Sequence, residues 1–259
     1  MSSREQSAIS VEYGFSLVEM AIVLLIIGVI LGGLLGAIGQ STENTRRLEA
    51  KSKLREIEEA LYGYAQVQGR LPCPGDDDTN GAEDLGSGTT ANGDCGRYYG
   101  LLPNATLGLA GGVDDNGFLL DPWGNPYRYA VGRSAAPYDF TGSTEISTMY
   151  PLAAAQLTGT NLLRVCDNSA CSGAVMSDIV PAVVLSMGKN WAELSGSSSA
   201  SEQENSGDGS TTTTGGDYDV TTTRTFVVAD YSEENFDDML TWLSPHLLFS
   251  KMIEAGKLP

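Results

Sequence analysis

The ionisable residue with the most unusual surroundings is Glu19, which stands directly before a long apolar run. Residues 20–39 contain no ionisable side chain. At about 1.5 Å rise per residue, a helix of that length covers roughly 30 Å, the thickness of the hydrocarbon layer of a bilayer. A carboxylate at membrane depth costs a few kcal/mol or more, so it is rare and usually has a partner. The sequence therefore predicts a membrane-grade helix that carries one acid near its start.

Gly14, Phe15, Glu19 and the apolar run resemble the signal of type IV prepilins, the family of type IV pilins and type II secretion pseudopilins. The resemblance implies that a prepilin peptidase cuts between Gly14 and Phe15 and methylates the new amino terminus on Phe15. Glu19 then pairs with the Phe15 amine of a neighbouring subunit and sets the register of assembly, since an opposite charge in low dielectric favours the ionised carboxylate. The alternative is that Glu19 lies near the helix end and reaches the lipid headgroups.

The charges around this segment depart from the family pattern. Prepilin leaders are usually basic, but residues 1–14 contain one basic residue, Arg4, and two acidic ones, Glu5 and Glu12. Five basic residues follow the apolar run, within residues 46–55. The positive-inside tendency alone would place the C-terminal part in the cytoplasm. Long domains translocate largely regardless of charge. We therefore expect a single-pass inner-membrane protein with its head in the periplasm, which later joins a filament.

A second resemblance lies in the sequence from Asp121 to Tyr127, which reads DPWGNPY and is similar to a motif of the major type II secretion pseudopilin. Physically, two prolines and a glycine predict a tight turn that buries Trp123 and leads into a strand. The residues after this motif do not align with the calcium loop of that family, so the resemblance gives no calcium ligands here.

A different calcium site is predicted from residues 76–84. Asp76, Asp78, Asn80 and Asp84 place oxygen ligands at positions 1, 3, 5 and 9 of a DxDxNG loop, and Gly81 permits the sharp turn. Ser87 stands where such loops have a bidentate glutamate. The alternative is a plain solvated turn.

Four cysteines fall into two local pairs, Cys73 with Cys95 and Cys166 with Cys171. Their even number and short spacings favour disulfides in an oxidising compartment, whereas neither pair is a CxxC and a single histidine is present, which disfavours zinc. Four reduced thiols are the alternative.

The net charge of −18 disfavours nucleic-acid binding because phosphate is repelled. The sequence has no GxSxG, HExxH, SxxK or Gly-rich phosphate loop, so no enzyme is predicted. His246, next to a proline in an apolar segment, is predicted to be structural.

Periodicity defines the elements that position these residues. Apolar residues recur at three- and four-residue steps over residues 41–68, which predicts an amphipathic continuation of the helix that ends at Gly69. Pairs at i, i+4, Glu49 with Lys53 and Arg55 with Glu59, add support. The predicted division is a leader (1–14), a membrane or filament-core helix (15–39), its amphipathic continuation (40–69) and a head (70–259).

The head is predicted to consist of turns and short strands. Strands are expected at 127–131, 179–187 and 225–229, a mobile Ser/Thr/Gly-rich loop at 195–224, and two short helices around Pro245. We expect an α+β fold. The resemblance implies that it is pilin-like, with a long N-terminal hydrophobic helix packed against a small antiparallel sheet and long loops.

These features predict a minor pilin or pseudopilin of a type II secretion or type IV pilus-like filament. Its partners would be fellow pilins, the prepilin peptidase and an inner-membrane assembly platform. The second hypothesis is a membrane-anchored, calcium-binding adhesin or exoprotein-recognition module, and the third is an anchored enzyme.

Overall fold

The computed structural model describes residues 14, 16–86, 95–133, 139–148, 163–191, 199–206, 224–232 and 235–259, with the backbone alone for residues 31–40. Their contacts divide the chain into two compact units, residues 1–45 and residues 46–259. Within these residues the fold is α+β, with small and mainly antiparallel sheets.

Helix α1 runs from Leu17 to Gln68 over 52 residues, as the apolar run and the amphipathic pattern predict. It ends where glycine permits a left-handed backbone: Gly69 has φ of 73°, and its N–H donates to the carbonyl of Ala65 at 2.8 Å. Lys53 was predicted to pair with Glu49 at i, i+4. It pairs instead with Glu56 at i, i+3, with 2.7 Å between Nζ and Oε2. Residues three and four positions away both lie within reach of one side chain on a helix.

Within the first unit, α1 exposes large apolar side chains along residues 17–30. Within the described part of the chain, no helix combines the length and the apolar character that crossing a membrane requires.

The second unit has one hydrophobic core that includes the amphipathic face of α1. The side chains that α1 buries there recur at three- and four-residue steps, as predicted: Ala50, Leu54, Ile57, Leu61 and Ala65. They pack with buried residues of the strands and of the C-terminal helix, including Tyr129, Val184 and Phe249. The three- and four-residue spacing of apolar residues in the sequence therefore corresponds to the face of α1 that is buried.

The first sheet has four antiparallel strands in the order β1-β2-β5-β7. Its strands are β1 (Tyr99–Leu101), β2 (Arg128–Val131), β5 (Ala182–Ser186) and β7 (Met239–Trp242). The second sheet has the order β4-β3-β6, with β3 and β6 parallel. The described part of the head therefore holds two sheets rather than the one antiparallel sheet expected. Its strands are β3 (Leu163–Cys166), β4 (Val175–Val180) and β6 (Arg224–Val227).

Two predicted elements of the head differ in the structure. The strand expected over 179–187 is divided at Pro181 into β4 and β5, which belong to different sheets, because proline cannot donate a ladder hydrogen bond. The first of the two C-terminal helices is instead the edge strand β7, which pairs with β5. The second is present as α5 (Pro245–Glu254), with proline in its first turn.

Three short helices complete the described part of the head: α2 (Asn104–Leu107), α3 (Ser143–Thr148) and α4 (Ala200–Ser206). Helix α4 falls in the segment 195–224 that was expected to be a loop. Residues 207–223 of that segment lie outside the described residues.

Candidate functional site

Glu19 lies in the first turn of α1 and forms a capping box with Ser16. The backbone N–H of Ser16 donates to Oε2 of Glu19 at 2.9 Å, and the backbone N–H of Glu19 donates to Oγ of Ser16 at 3.4 Å. The carboxylate thereby satisfies a free backbone donor at the positive end of the helix dipole. This role was not predicted, although Ser16-x-x-Glu19 before an apolar run is its signature in the sequence.

The other two residues of the predicted processing site are placed only in part. Gly14 is exposed, and Phe15 lies outside the described residues. The pairing of Glu19 with a Phe15 amine therefore stays a prediction.

The surface that follows Glu19 on α1 is apolar and uncovered in the single chain. Leu25 and Val29 are 68% and 70% exposed, and Leu17, two residues before Glu19, is 89% exposed. Contiguous apolar patches of this kind mark surfaces that lipid or protein covers.

The predicted calcium loop is folded as two tight turns, with Asn80 and Gly81 at φ of 52° and 76°. Its ligands face different neighbours. The carboxylate of Asp76 pairs with Arg97, and Oδ1 of Asp84 accepts from the N–H of Gly86 at 2.8 Å. A side chain added at Gly117 would collide with Oδ1 of Asn80, and Asp78 is exposed.

Across the part of the chain that the structure describes, no three acidic, cysteine or histidine side chains are grouped so that they could hold a metal ion. Residues 87–94, which complete the loop after Asp84, lie outside that part. Calcium at Asp76, Asp78, Asn80 and Asp84 stays a prediction, and it would have to displace Arg97 from Asp76.

Both predicted disulfides are present. Cys73 bonds Cys95, and Cys166 bonds Cys171, with Cα atoms 5.5 Å and 5.3 Å apart. The local spacing of each pair was sufficient to find it. The oxidising compartment that such disulfides favour stays a prediction.

A cluster of buried acids that the sequence analysis did not identify lies beneath α4. We call Asn190, Glu202, Asn205, Asp237 and Asp238 the acidic pocket. Glu202, Asp237 and Asp238 are 0%, 2% and 7% exposed, although acidic residues are seldom this buried unless they are paired.

Hydrogen bonds join the acidic pocket to three segments of the head. Oε1 of Glu202 accepts from Nδ2 of Asn190 at 3.0 Å and from the N–H of Asp237 at 3.1 Å. Oδ2 of Asp238 accepts from Nδ2 of Asn205 at 2.8 Å. The pocket therefore attaches α4 to the start of β7 and to the turn after β5.

The acidic pocket is short of hydrogen-bond donors. Oε2 of Glu202, Oδ1 of Asp238 and Oδ1 of Asn190 are buried and have no donor among the described residues. Burial raises the pKa of Asp238 well above its ordinary value, and the negative charges of Glu202 and Asp237 add to that increase. Such oxygens are completed in proteins by protons, water or a cation.

The DPWGNPY turn supports the acidic pocket from the other side. Oδ1 of Asp121 accepts from the N–H groups of Trp123 and Asn125 at 2.9 and 2.8 Å, which closes the turn. Nδ2 of Asn125 then donates to the carbonyl of Gly188 at 2.5 Å. Gly188 has φ of 64°, and a side chain there would collide with the carboxylate of Asp237. Trp123 is half-buried and packs on the core rather than within it.

No local motif could have predicted the acidic pocket, because its residues come from segments up to 48 positions apart. The adjacent acids Asp237 and Asp238 directly before an apolar segment were the one signal in the sequence. His246, predicted to be structural, is exposed in the first turn of α5.

Comparison of the chain with protein-family models, with curated proteins and with solved structures finds no match.

Proposed function

We propose that the protein is a subunit of a type IV pilin-like filament, a minor pilin or pseudopilin. One observation carries the proposal: a 52-residue helix begins with a capping glutamate, continues with an exposed apolar surface and ends with a face buried in the head. The exposed apolar side chains of α1 must be buried against lipid or protein that the single chain does not supply. In a filament, neighbouring copies of the same helix bury them.

In this proposal, maturation creates the assembly contact. A prepilin peptidase removes residues 1–14 and methylates the amine of Phe15. Residues 15–39 hold the subunit in the inner membrane until an assembly platform extracts it, and helix packing then replaces lipid. The amine of Phe15 meets Glu19 of a neighbouring copy, and their attraction in a low dielectric sets the register. The two disulfides support a periplasmic head.

The capping box allows the assembly role of Glu19 to be separated from its role in the helix. Glutamine occupies the same position in capping boxes, so Glu19→Gln keeps the cap but removes the charge. We expect Glu19→Gln and Glu19→Ala to reduce incorporation into filaments to a similar degree, roughly tenfold or more, while both variants stay in the membrane fraction. The measurement is the amount of the protein in sheared or cross-linked filaments relative to the membrane.

Two control variants complete this experiment. Ser16→Ala removes the other half of the capping box and keeps the charge, so it should assemble nearly as well as the wild type. Glu49→Ala removes an exposed acid of the same helix and should have no effect. If Glu19→Gln assembles like the wild type while Ser16→Ala loses incorporation into filaments, Glu19 only caps the helix.

The intact mass of the membrane-extracted protein tests processing independently. We expect the loss of residues 1–14 and the gain of one methyl group.

The second candidate function is a membrane-anchored head that takes up calcium to recognise a surface or an exported protein. The unpartnered buried oxygens of Glu202, Asp238 and Asn190 favour it. These groups would need to move, because they are not grouped as a ligand set in the described part of the chain. Between the two candidate places, the acidic pocket offers free oxygens, whereas Asp76 of the loop is already paired with Arg97.

Thermal unfolding distinguishes the two places for calcium. We expect calcium to raise the melting temperature of the wild type relative to chelator, by several degrees at about 100 times Kd. Glu202→Gln should abolish that increase if calcium occupies the acidic pocket, and Asp76→Asn should abolish it if calcium occupies the loop. Equal melting temperatures with calcium and chelator would remove calcium from the proposal and leave the filament role untouched.

A further inference from the structure

A cleft of about 350 Å³ lies in the second unit, between α1 and the segments that follow β6 and precede β7. We call it the α1 cleft. Its lining includes Arg47, Lys51 and Leu54 from α1, and Asp230, Tyr231, Asp238 and Met239 from the facing segments, so it shares Asp238 with the acidic pocket. The volume falls within the range of sites that take a small ligand or one or two side chains of a partner.

Arg47 stacks on an aromatic ring and forms no ion pair with a described residue. Its guanidinium stacks on Tyr231, 3.5 Å from the ring centroid. Nε of Arg47 is buried and has no hydrogen-bond partner among the described residues. A stacked guanidinium keeps its planar edge of N–H donors free for a carboxylate or a phosphate, and stacking reduces the entropy that binding must remove.

Lys51 adds a second positive charge one helical turn away. Lys51 is exposed, and neither Lys51 nor Arg47 forms an ion pair with any residue that the structure describes. Asp230 is exposed and also lines the cleft. Its carboxylate oxygens lie more than 4 Å from the side-chain nitrogens of Arg47 and Lys51. Leu54 and Met239 make part of the lining apolar. The cleft therefore fits an acidic side chain next to an apolar one.

The composition of the chain indicates where such a ligand comes from. The chain has 33 acidic and 15 basic residues, and five of the basic ones lie within residues 46–55. The charged side chains of a second copy are therefore mainly acidic. The band around the cleft is the place where they are attracted rather than repelled.

We propose that the α1 cleft receives an acidic side chain, next to an apolar one, from the head of a second copy of this chain. The inference rests on the proposed function, because it adds a head contact to the helix contacts of the filament. Arg47 binds the carboxylate through its free edge, Lys51 adds long-range attraction, and Leu54 with Met239 cover the apolar neighbour.

Photo-cross-linking of the full chain in cells tests the contact. A photoreactive amino acid at Ala229, which is exposed and lines the cleft, preserves both cations. We expect a cross-link to an acidic peptide of a second copy. The same probe at Val67, which is exposed on α1 outside the cleft, should not give it. A cross-link to lipid, or to a different protein alone, would overturn the inference.

Charge reversal provides the matched comparison. Arg47→Glu should lower the yield of the cross-link roughly tenfold or more, because like charges then face each other. Lys257→Glu makes a charge reversal at an exposed lysine outside both the cleft and residues 46–55, and it should leave the yield unchanged. Arg47→Lys keeps the charge without the planar edge and should give an intermediate yield.

The outcomes separate this inference from the proposed function. If Arg47→Glu assembles and cross-links as well as Lys257→Glu, the inference is overturned and the filament role stands. Absence of any self-assembly of the wild type overturns both. Should Arg47→Glu unfold at a lower temperature than the wild type, Lys51→Glu serves instead, because that exposed side chain has no partner to lose in the described part of the fold.

Discussion

Glu83 shows how a single, partly buried carboxylate joins three segments of the head. Its oxygens accept from Nη1 and Nη2 of Arg70 at 2.8 and 2.6 Å, from the N–H of Cys73 at 3.0 Å and from the hydroxyl of Tyr64 at 3.0 Å. Burial alone would raise the pKa of Glu83, but these donors outweigh it, so the pKa lies below its ordinary value. The end of α1 is thereby bonded to the first disulfide.

We expect Glu83→Gln to destabilise the head by about 3 kcal/mol at neutral pH, because it leaves the buried charge of Arg70 without a partner. A carboxyl group whose pKa is lowered in the fold contributes stability above its unfolded pKa of about 4.3, and that contribution is lost as the pH falls through the folded pKa. The difference between Glu83→Gln and the wild type should therefore shrink in acid. Urea unfolding at pH 7 and at pH 3 measures it.

Glu56→Gln is the control for Glu83→Gln. Glu56 also pairs with a cation, Lys53, but its side chain is 52% exposed. Exposed pairs are worth at most about 1 kcal/mol, so this variant should change the free energy of unfolding little. An equal effect of both substitutions would contradict the role given to burial.

At the scale of the element, local patterns were sufficient wherever one element buries one face. The three- and four-residue spacing of apolar residues predicted the buried face of α1, because a helix repeats every 3.6 residues whatever it packs against. Likewise, Gly69 marked the end of α1. Strands β2 and β6 were also found within two residues of their ends.

Elements defined by distant partners could not be predicted in this way. The apolar residues Phe236, Met239, Leu240 and Leu243 have helical spacing, but Met239–Trp242 pairs with Ala182–Ser186 and forms the edge strand β7. Pairing with a strand more than 50 residues away thus outweighs local preference. The acidic pocket was missed for the same reason, since α4, β7 and the turn after β5 meet only in the folded head.

At the scale of the whole molecule, acidity acts on both folding and assembly. The net charge of −18 opposes the compact state and the approach of a second copy alike. Salt weakens this general repulsion and also weakens the attraction to Arg47 and Lys51. The contact at the α1 cleft is therefore the part of assembly that added salt should harm, whereas apolar packing of the helices should gain from it.

The buried acids make the stability of the head depend on pH in the direction opposite to Glu83. Burial raises the pKa of Asp121, even though Ser186, Trp123 and Asn125 donate hydrogen bonds to its carboxylate. The pKa of Asp139 is raised by burial as well. A carboxyl group of this kind binds its proton more tightly in the folded state, so the fold loses stability as the pH rises from the unfolded pKa of about 3.9 through the folded pKa.

Asp121→Asn tests this dependence at the turn that supports the acidic pocket. Asparagine keeps an acceptor for the N–H groups of Trp123 and Asn125 but carries no charge to bury. We therefore expect Asp121→Asn to melt higher, relative to the wild type, at pH 7 than at pH 3, by a few degrees for about 1 kcal/mol. Asp115→Asn, an exposed acid of another turn, should show the same difference from the wild type at both pH values. If Asp121→Asn instead loses stability at pH 7, the hydrogen bond from Ser186 outweighs the cost of burying the charge.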